Sequence, residues 1–395
     1  MDPRLAAPFA RITQAFIDIF SREPATLVAA PGRVNLLGEH TDYNGGFVLP
    51  MAIQRGVYLA AAPREDRRAI IVALNYEARA SFDLSAIGTR VGDWSDYARG
   101  VAWALAQAGF SPSGLEAVLW GDVPMGAGLS SSAALEVAFA TTWDQLGSLG
   151  IPKLELAVRC QRAENEFVGV RCGIMDQMVT LLGAEGYSFF LDCRSLAYRF
   201  VRLPEDVQVV IVNSRVKRQL AASEYNARRR DCEEATRRLG MPALRDITPA
   251  EFERRAGELP EGLRRRARHV VYENQRVVRG VAALRQGNLA AFGRLMRESH
   301  RSLREDFEVS CRELDVLVEA ARAVPGVYGA RLSGAGFGGC TVNLVDAQAV
   351  GRFEDQVART YREGTGIEPE VIVTRPAAGA RAYQPAAVTS GVEGP

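Results

Sequence analysis

Two hydrophobic patterns alternate along the first half of the chain. Short runs rich in valine, isoleucine and alanine, bounded by turn residues, predict strands at 25–30, 56–62, 69–73, 116–120 and 187–191. Segments with apolar residues every three or four positions predict helices at 130–149 and 153–167. This alternation is typical of a mixed α/β architecture.

The pattern changes in the second half. Residues 207–212 form an apolar run, interrupted only by Gln208, that predicts a buried strand, and residues 223–323 are rich in Arg and Glu with helical spacing. Further elements are predicted as strands at 328–332, 340–345 and 370–373 and a helix at 347–362. The tail after Pro376 is expected to fray.

Length predicts the number of domains. A chain of 395 residues exceeds the usual size of a single core, so two domains are expected. The boundary is predicted within residues 196–205, which divides the chain into domains 1–200 and 201–395.

Composition excludes several classes of protein. The net charge of +1 gives no electrostatic reason to expect nucleic acid or an anionic membrane as a partner. The six cysteines are scattered without C-x-x-C spacing, which argues against a disulfide framework or a zinc site. No signal peptide or membrane span is apparent, so a cytoplasmic protein is expected.

A glycine- and serine-rich loop, residues 124–134, lies between a predicted strand and a predicted helix. Its glycines let the backbone approach an anion, and the unpaired amides of the helix start favour a polyphosphate. The loop lacks the lysine of a Walker motif, and the chain has only two lysines, Lys153 and Lys217. The alternative is a tight strand-to-helix turn without a ligand.

A second glycine cluster, residues 332–340, lies between two predicted strands. Four glycines within 334–339 are costly in entropy unless the backbone needs unusual dihedrals or a close approach. Two such loops, one in each half of the chain, indicate a charged ligand between the domains. A packed turn is the alternative.

The polar segment near the N-terminus combines donors, acceptors and charges between apolar strands. Arg33, Glu39, His40, Asp42 and Asn44 lie within twelve residues. A polyol needs this chemistry because each of its hydroxyl groups both donates and accepts hydrogen bonds. His40 alone would be interpreted as a surface histidine.

Two acids further along the chain are candidates for the same site. Asp176 is a lone acid in an apolar run, where burial requires a cation or hydrogen bonds, and Arg33 is a candidate partner. The alternative is that Asp176 caps the following helix. Glu164, taken singly, is interpreted as a solvated acid like Glu166.

Taken together, five segments resemble the galactokinases, a family within the GHMP small-molecule kinases. Residues 32–46 look like the galactokinase signature, residues 126–134 like the phosphate motif, and residues 332–340 like the third glycine motif. Residues 172–177 and 223–226 also resemble galactokinase segments. The resemblance extends over residues 25–375.

This resemblance implies a two-domain α/β (α+β) GHMP kinase fold with its active site in the inter-domain cleft. It implies transfer of the γ-phosphate of ATP to the 1-hydroxyl of α-D-galactose, giving galactose 1-phosphate in the first committed step of the Leloir pathway of galactose metabolism. Mg²⁺ is the implied cofactor, galactose and ATP are the implied partners, and a monomer is expected.

Motif positions assign residues to these roles. Arg33 and Asp176 are expected at the reacting hydroxyl, and Ser132 and Glu164 at Mg²⁺. The other sugar hydroxyls are expected to contact Glu39, His40, Asp42, Gly173 and Tyr225. The nucleotide is expected to contact Trp94 and Tyr97 near the base and Pro124, Gly126, Ala127, Gly128, Leu129, Ser130, Ser131 and Ser132 at its phosphates.

The sequence differs from the galactokinase pattern at two positions, and two other functions are compatible with a similar pattern. Ala335 stands where many relatives have glycine, and Asp96 where many have asparagine, which weakens the assignments at the base. An N-acetylgalactosamine kinase would need room for the acetamido group, and such relatives look more glycine-rich before the catalytic acid. A non-catalytic sugar and ATP sensor would lack the pair Ser132–Ala133, which is present.

The implied chemistry needs no phosphate-binding lysine. Asp176 would accept, or electrostatically stabilise, the proton of the anomeric hydroxyl as that hydroxyl attacks the γ-phosphate. Arg33 would keep Asp176 ionised and stabilise developing charge. Positioning and charge neutralisation are the main requirements of phosphoryl transfer.

Overall fold

The structure, a computed structural model, describes residues 2–216 and 221–385. The helices are α1 (Ala6–Phe20), α2 (Ser95–Gln107), α3 (Ser131–Gly147), α4 (Lys153–Arg162), α5 (Met175–Leu182), α6 (Ala221–Arg238), α7 (Pro249–Arg255), α8 (Glu261–Arg285), α9 (Leu289–Glu305), α10 (Arg312–Arg322) and α11 (Val350–Thr365). The strands are β1 (Thr26–Asn35), β2 (Phe47–Val48), β3 (Pro50–Arg64), β4 (Arg68–Ala73), β5 (Ala78–Asp83), β6 (Gly114–Gly121), β7 (Tyr187–Asp192), β8 (Tyr198–Arg202), β9 (Val207–Asn213), β10 (Val327–Ser333), β11 (Cys340–Asp346), β12 (Glu370–Thr374) and β13 (Arg381–Tyr383).

The largest sheet has six strands in the order β13-β1-β3-β6-β4-β5. All its pairs are antiparallel except β4 with β6. Helix α3 packs against β1 and β3 and is buried around most of its circumference, from Ala133 to Trp143. A helix that is apolar on all sides belongs inside a core. The glycine- and serine-rich loop (residues 124–134), called the phosphate-type loop below, leads into this buried helix.

Two smaller sheets complete the architecture. One has the order β10-β11-β9-β12, and the other has the order β2-β7-β8. The central strand β9 is apolar and almost fully buried because β11 and β12 pair with both of its edges. Helices α8 and α9 pack together, and α9 packs on β10. The second glycine cluster is the turn between β10 and β11.

The predicted strands and helices are present. Most strands extend beyond their predicted ends, whereas the helix predicted at 130–149 is shorter, Ser131–Gly147, and the one predicted at 153–167 becomes π-helical after Arg162. The elements that were not predicted include α2, β5, β8 and β13. β8 has three exposed residues at its start, Tyr198, Arg199 and Phe200, so it shows no apolar run. It also lies inside the segment proposed as the domain boundary.

The C-terminal part of the described chain returns to the six-stranded sheet. The expectation that the tail after Pro376 frays is wrong for Arg381–Tyr383, because β13 pairs with β1. Residues 386–395 lie outside the described residues. The division into 1–200 and 201–395 stays a prediction. Among helices in the described ranges, none is both long and apolar enough to cross a membrane.

Candidate active site

The end of β1 brings the N-terminal polar segment against the glycine- and serine-rich loop. The pairing of β1 with β3 shifts register between Pro31 and Arg33. Such a bulge re-aims the side chains that follow it. The amide of Arg33 donates to the carbonyl of Leu129 at 3.0 Å, and a Cβ added at Gly32 would lie 2.7 Å from that same oxygen. Glycine at position 32 therefore permits the close approach of the two segments.

Arg33 and Asp176 form a two-pronged ion pair. Nε and Nη2 of Arg33 lie 2.7 Å from the two carboxylate oxygens of Asp176. Nη1 of Arg33 donates to the carbonyl of Gly128 at 2.6 Å, and the hydroxyl of Ser130 also donates to Asp176. The partnership predicted from sequence is confirmed. The helix-capping alternative is wrong, because the residue preceding α5 is Ile174 and Asp176 faces Arg33.

Glu39 ties the N-terminal segment to the second glycine cluster. Its Oε1 accepts hydrogen bonds from the amide of Gly334 at 2.7 Å and from the hydroxyl of Ser333 at 3.2 Å. Nη2 of the fully buried Arg331 lies 3.2 Å from the same oxygen. All four glycines of the cluster adopt positive φ, so the backbone does need the conformations that glycine allows. The alternative that this cluster is only a packed turn does not describe it fully, because the amide of Gly334 donates a hydrogen bond to Glu39.

His40 is buried, so its interpretation as a surface histidine is wrong. Its Nδ1 lies 2.9 Å from the hydroxyl of Tyr43, and its Nε2 lies 3.2 Å from the carbonyl of Ala335. The ring of Tyr225 lies 5.5 Å from the His40 ring, between centroids. Ala335 has no positive φ, which explains why a side chain is tolerated where relatives have glycine.

The carboxyl group of Asp42, a half-buried residue, packs against a glycine. A Cβ added at Gly173 would lie 2.7 Å from the Cβ of Asp42 and closer still to its carboxyl group. Burial, together with the charge of Asp176, raises the pKa of Asp42 to about 7. Gly173 therefore has a clear steric role, although its own atoms do not line the cavity described next.

These residues surround one cavity of about 260 Å³. Its polar wall includes Arg33, Glu39, His40, Asp42, Asp176 and Tyr225. Elements separated by almost 200 residues contribute to this wall. The six side chains that were singled out from three sequence segments are thus brought together.

A second cavity, of about 450 Å³, adjoins the first. The residues that line both are Tyr97, Gly126, Ser131 and Ser132. Trp94 and Pro124 line the second cavity alone, as predicted by position. Tyr76, which was not predicted, stacks on Trp94 with ring planes 7° apart. The only feature of the sequence that could have indicated Tyr76 is that it is an aromatic residue in a short turn between two strands.

Asp96 stabilises the loop beside this second cavity. Its two carboxylate oxygens accept hydrogen bonds from the amides of Val91 at 2.8 Å and Gly92 at 2.7 Å. Both oxygens are acceptors here, a role that the single oxygen of asparagine would fill less completely. The departure from the family pattern therefore affects the loop scaffold, and Asp96 itself does not line the cavity.

Some residues of the phosphate-type loop face the first cavity, and others are buried in the protein core. Gly128 and Ser130 line the first cavity, whereas the side chains of Ala127 and Leu129 are buried in the apolar cluster beneath. An anion could therefore bind only to the backbone of Ala127 and Leu129. Ser130 precedes α3 with φ of 57°, a left-handed conformation that is costly for a non-glycine residue.

Glu164 is buried, so the interpretation of this residue as a solvated acid is wrong, whereas Glu166 is exposed. Glu164 lies on a π-helical turn, Ala163–Val168, that extends α4. Burial and the charge of Asp176 raise its pKa to about 7, although hydrogen bonds from Cys172, Ser132 and Gln177 oppose the shift.

Gln177 and Glu136 were not identified from sequence, and they complete this acidic cluster. The side-chain amide of Gln177 donates to Glu164 at 2.9 Å and to Glu136 at 3.0 Å. Glu136 is fully buried, and burial raises its pKa well above the usual value. The available signals were that Glu136 lies one helical turn after Ser132 and that Gln177 adjoins Asp176.

Comparison with known proteins identifies the family. The galactose-binding signature of galactokinases matches residues 14–63, the GHMP kinase N-terminal domain matches 96–184, and the GHMP kinase C-terminal domain matches 281–363. A galactokinase from Roseiflexus sp. (strain RS-1) is 48% identical over 369 residues, covering 92% of this chain and 94% of that protein. The chain belongs to the galactokinase family.

Solved structures show the same relationship. The galactokinase of Lactococcus lactis, crystallised with galactose, superposes with a TM-score of 0.92 at 36% identity, covering 95% of this chain and 99% of that one. The mevalonate kinase of Methanococcus jannaschii has a TM-score of 0.62 at 18% identity, covering 89% and 98%, which shows the shared fold alone. This galactokinase therefore has the two-domain α/β fold of the GHMP kinases, as predicted.

Proposed function

We propose that this chain transfers the γ-phosphate of ATP to the 1-hydroxyl of galactose, giving galactose 1-phosphate. The observation that carries the proposal is the ion pair of Arg33 and Asp176, which lies in the wall of the first cavity. The second cavity shares the loop residues Gly126, Ser131 and Ser132 with the first, so a nucleotide there would direct its phosphates towards that wall.

The sugar is proposed to occupy the first cavity. Its walls offer carboxylates, a histidine and a tyrosine, and this mixture of donors and acceptors suits the several hydroxyl groups of a hexose. The ion pair with Arg331 and the hydrogen bond from the amide of Gly334 hold Glu39 in place before the sugar binds. Preorganised contacts of this kind lower the entropic cost of binding.

Asp176 is proposed to orient the 1-hydroxyl and to receive or stabilise its proton. Arg33 and Ser130 bind the carboxylate of Asp176 and leave its position well defined. Fixed geometry of this kind supplies most of the catalysis in phosphoryl transfer, together with neutralisation of charge on the phosphates. The amides at the start of α3 are the backbone groups available for that neutralisation.

Mg²⁺ is the proposed cofactor, and the residues present fit it. Glu164 provides a buried carboxylate that forms no ion pair with any described residue, and the hydroxyl of Ser132 lies beside it. In the described ranges no group of three or more His, Cys, Asp or Glu residues is arranged to hold a metal. Mg²⁺ is commonly held by one or two protein oxygens together with substrate phosphates, and its charge would offset that of the phosphates.

A panel of sugars with γ-labelled ATP tests the reaction: galactose, N-acetylgalactosamine, glucose, arabinose and talose. Label transfer to galactose alone is expected. Preferential labelling of N-acetylgalactosamine would favour the amino-sugar kinase. Absence of transfer to every sugar, with galactose and ATP still bound, would favour the sensor.

A substitution tests the proposed mechanism separately. Asp176→Asn is expected to abolish turnover while the protein stays folded and still binds galactose. Near-normal kcat in this variant would contradict the role of Asp176 without affecting the substrate assignment.

A cytoplasmic location and a monomeric state are proposed as well. All six cysteines are free, which is usual for a reducing compartment. Sedimentation of the full chain at several concentrations would reveal any association.

A further inference from the structure

An arginine-lined cavity of about 390 Å³ lies between α9 and α10, and none of its lining residues belongs to the two cavities described above. Four of its arginines come from α9 and one from the last turn of α10. The residues that line it are Arg294, Arg297, Arg301, Arg304 and Arg322 together with His300, Glu298 and Glu319.

The four arginines of α9 share one face of the helix. Their positions are separated by three, four and three residues, which places each guanidinium one turn from the next. Like charges at this spacing destabilise a helix by about 0.2–0.5 kcal/mol for each pair. Such a stripe is therefore a cost to the folded protein unless an anion compensates for it.

Some arginines on other helices of this chain are paired with acids. On α6, Arg237 and Arg238 both bond to Glu234, at distances of 2.7 and 2.6 Å. On α4, Arg159 bonds to Glu155 at 2.8 Å. Within residues 2–216 and 221–385, by contrast, Arg294 and Arg301 make no hydrogen bond and no ion pair. Their guanidinium groups remain available to a ligand.

Arg297 lies deepest among the arginines of the cavity. It is half-buried, and one of its nitrogens donates to the carbonyl of Tyr328 at 2.9 Å. Its pKa is lowered, first by burial and then by the charges of Arg322 and Arg294. The cavity therefore contains positive charge that is only partly compensated by Glu298 and Glu319.

We propose that this cavity binds a small, multiply charged phosphate compound. Guanidinium groups bind phosphate oxygens in pairs, and five of them can surround an anion with more than one negative charge. The five arginines outnumber the two glutamates, so the lining keeps a net positive charge, and an anion with more than one negative charge is attracted more strongly than a single carboxylate. Free phosphate and phosphate esters share this chemistry, and the experiment separates them.

The test uses the full chain with its active site filled by galactose and a non-hydrolysable ATP analogue. Inorganic phosphate, glucose 6-phosphate and fructose 1,6-bisphosphate are titrated separately by calorimetry. The variant R294Q/R301Q removes two exposed charges that make no hydrogen bond or ion pair with any described residue, so it should fold normally. The control R237Q/R238Q removes the same charge from α6.

Binding of at least one of these anions to the wild type and the control, weakened at least tenfold in R294Q/R301Q, is expected. The tightest anion then identifies the source, free phosphate or a phosphate ester. Equal weakening in both variants would overturn the proposal, because it would indicate a general effect of net charge. Absence of binding to the wild type by all three anions would overturn it as well.

Discussion

Gly173 has a steric role that a single methyl group can test. In Gly173→Ala the new Cβ would lie 2.7 Å from the Cβ of Asp42 and closer to its carboxyl group. An ordinary contact is at least 3.4 Å, so the two residues must separate by about 0.7 Å. Because the Cβ of Asp42 is fixed to its backbone, rotation of the carboxyl group alone cannot relieve the contact.

The expected consequence is weaker use of galactose. If the displaced carboxyl group loses one charged hydrogen bond to the sugar, the loss is about 1.5–3 kcal/mol, which corresponds to about a 10- to 150-fold fall in kcat/KM. The KM for ATP should change little, since Gly173 lies away from the second cavity. Steady-state kinetics with each substrate varied in turn measures both quantities.

A matched control separates this effect from a general response to alanine. Gly262 lies in the first turn of α8, and a Cβ there would meet no atom within 4 Å. Gly262→Ala is expected to leave both KM values unchanged. Wild-type kcat/KM for galactose in a folded Gly173→Ala protein would refute the argument that this glycine makes room for Asp42.

Three further predictions concern the buried acids. Glu164→Ala is expected to raise the Mg²⁺ concentration needed for half-maximal activity by about 10- to 100-fold. The control Glu166→Ala, at an exposed position, should leave this concentration unchanged. An unchanged metal titration in Glu164→Ala would show that Glu164 does not bind the metal. Gln177→Leu deprives Glu136 and Glu164 of their shared donor, so the free energy of unfolding in urea should fall by about 1–3 kcal/mol, and equal stability would contradict the network. The pKa of Asp42 is raised to about 7, so the folded protein retains a proton that the unfolded chain has released, and this residue lowers stability as pH rises from about 4 to 7. Asp42→Asn without ligands should therefore be more stable than the wild type at pH 8 and similar at pH 4, and a thermal midpoint difference that does not vary with pH would exclude this coupling.

Local pattern predicted much of the fold, because strands such as β9 are buried on both faces and most of their residues are apolar. Elements without such a pattern were missed. β13 has only three residues and is defined by its pairing with β1, which lies more than 300 residues earlier in the chain. β8 exposes much of its surface, so it lacks the alternation by which a half-buried strand is recognised.

The same distinction applies to the candidate site, where some features were predicted from sequence and others were not. The sequence by itself determined the chemical groups: a polar segment for a polyol, glycine loops for backbone contacts and an acid that needed a partner. Only the tertiary structure decided which of these groups meet. Burial of Glu164, its link through Gln177 to Glu136, and the stacking of Tyr76 on Trp94 all depend on helices and turns from separate parts of the chain.

The physical reason is that burial and partnership are properties of a packed structure. A carboxylate has the same sequence symbol whether it is solvated, as Glu166 is, or enclosed beside other acids, as Glu164 is. Hydrophobic periodicity reports which face of an element is buried, and it carries no information about which distant polar residue lies opposite. The sequence thus determined what chemistry this galactokinase has available, and the fold decided where that chemistry is concentrated.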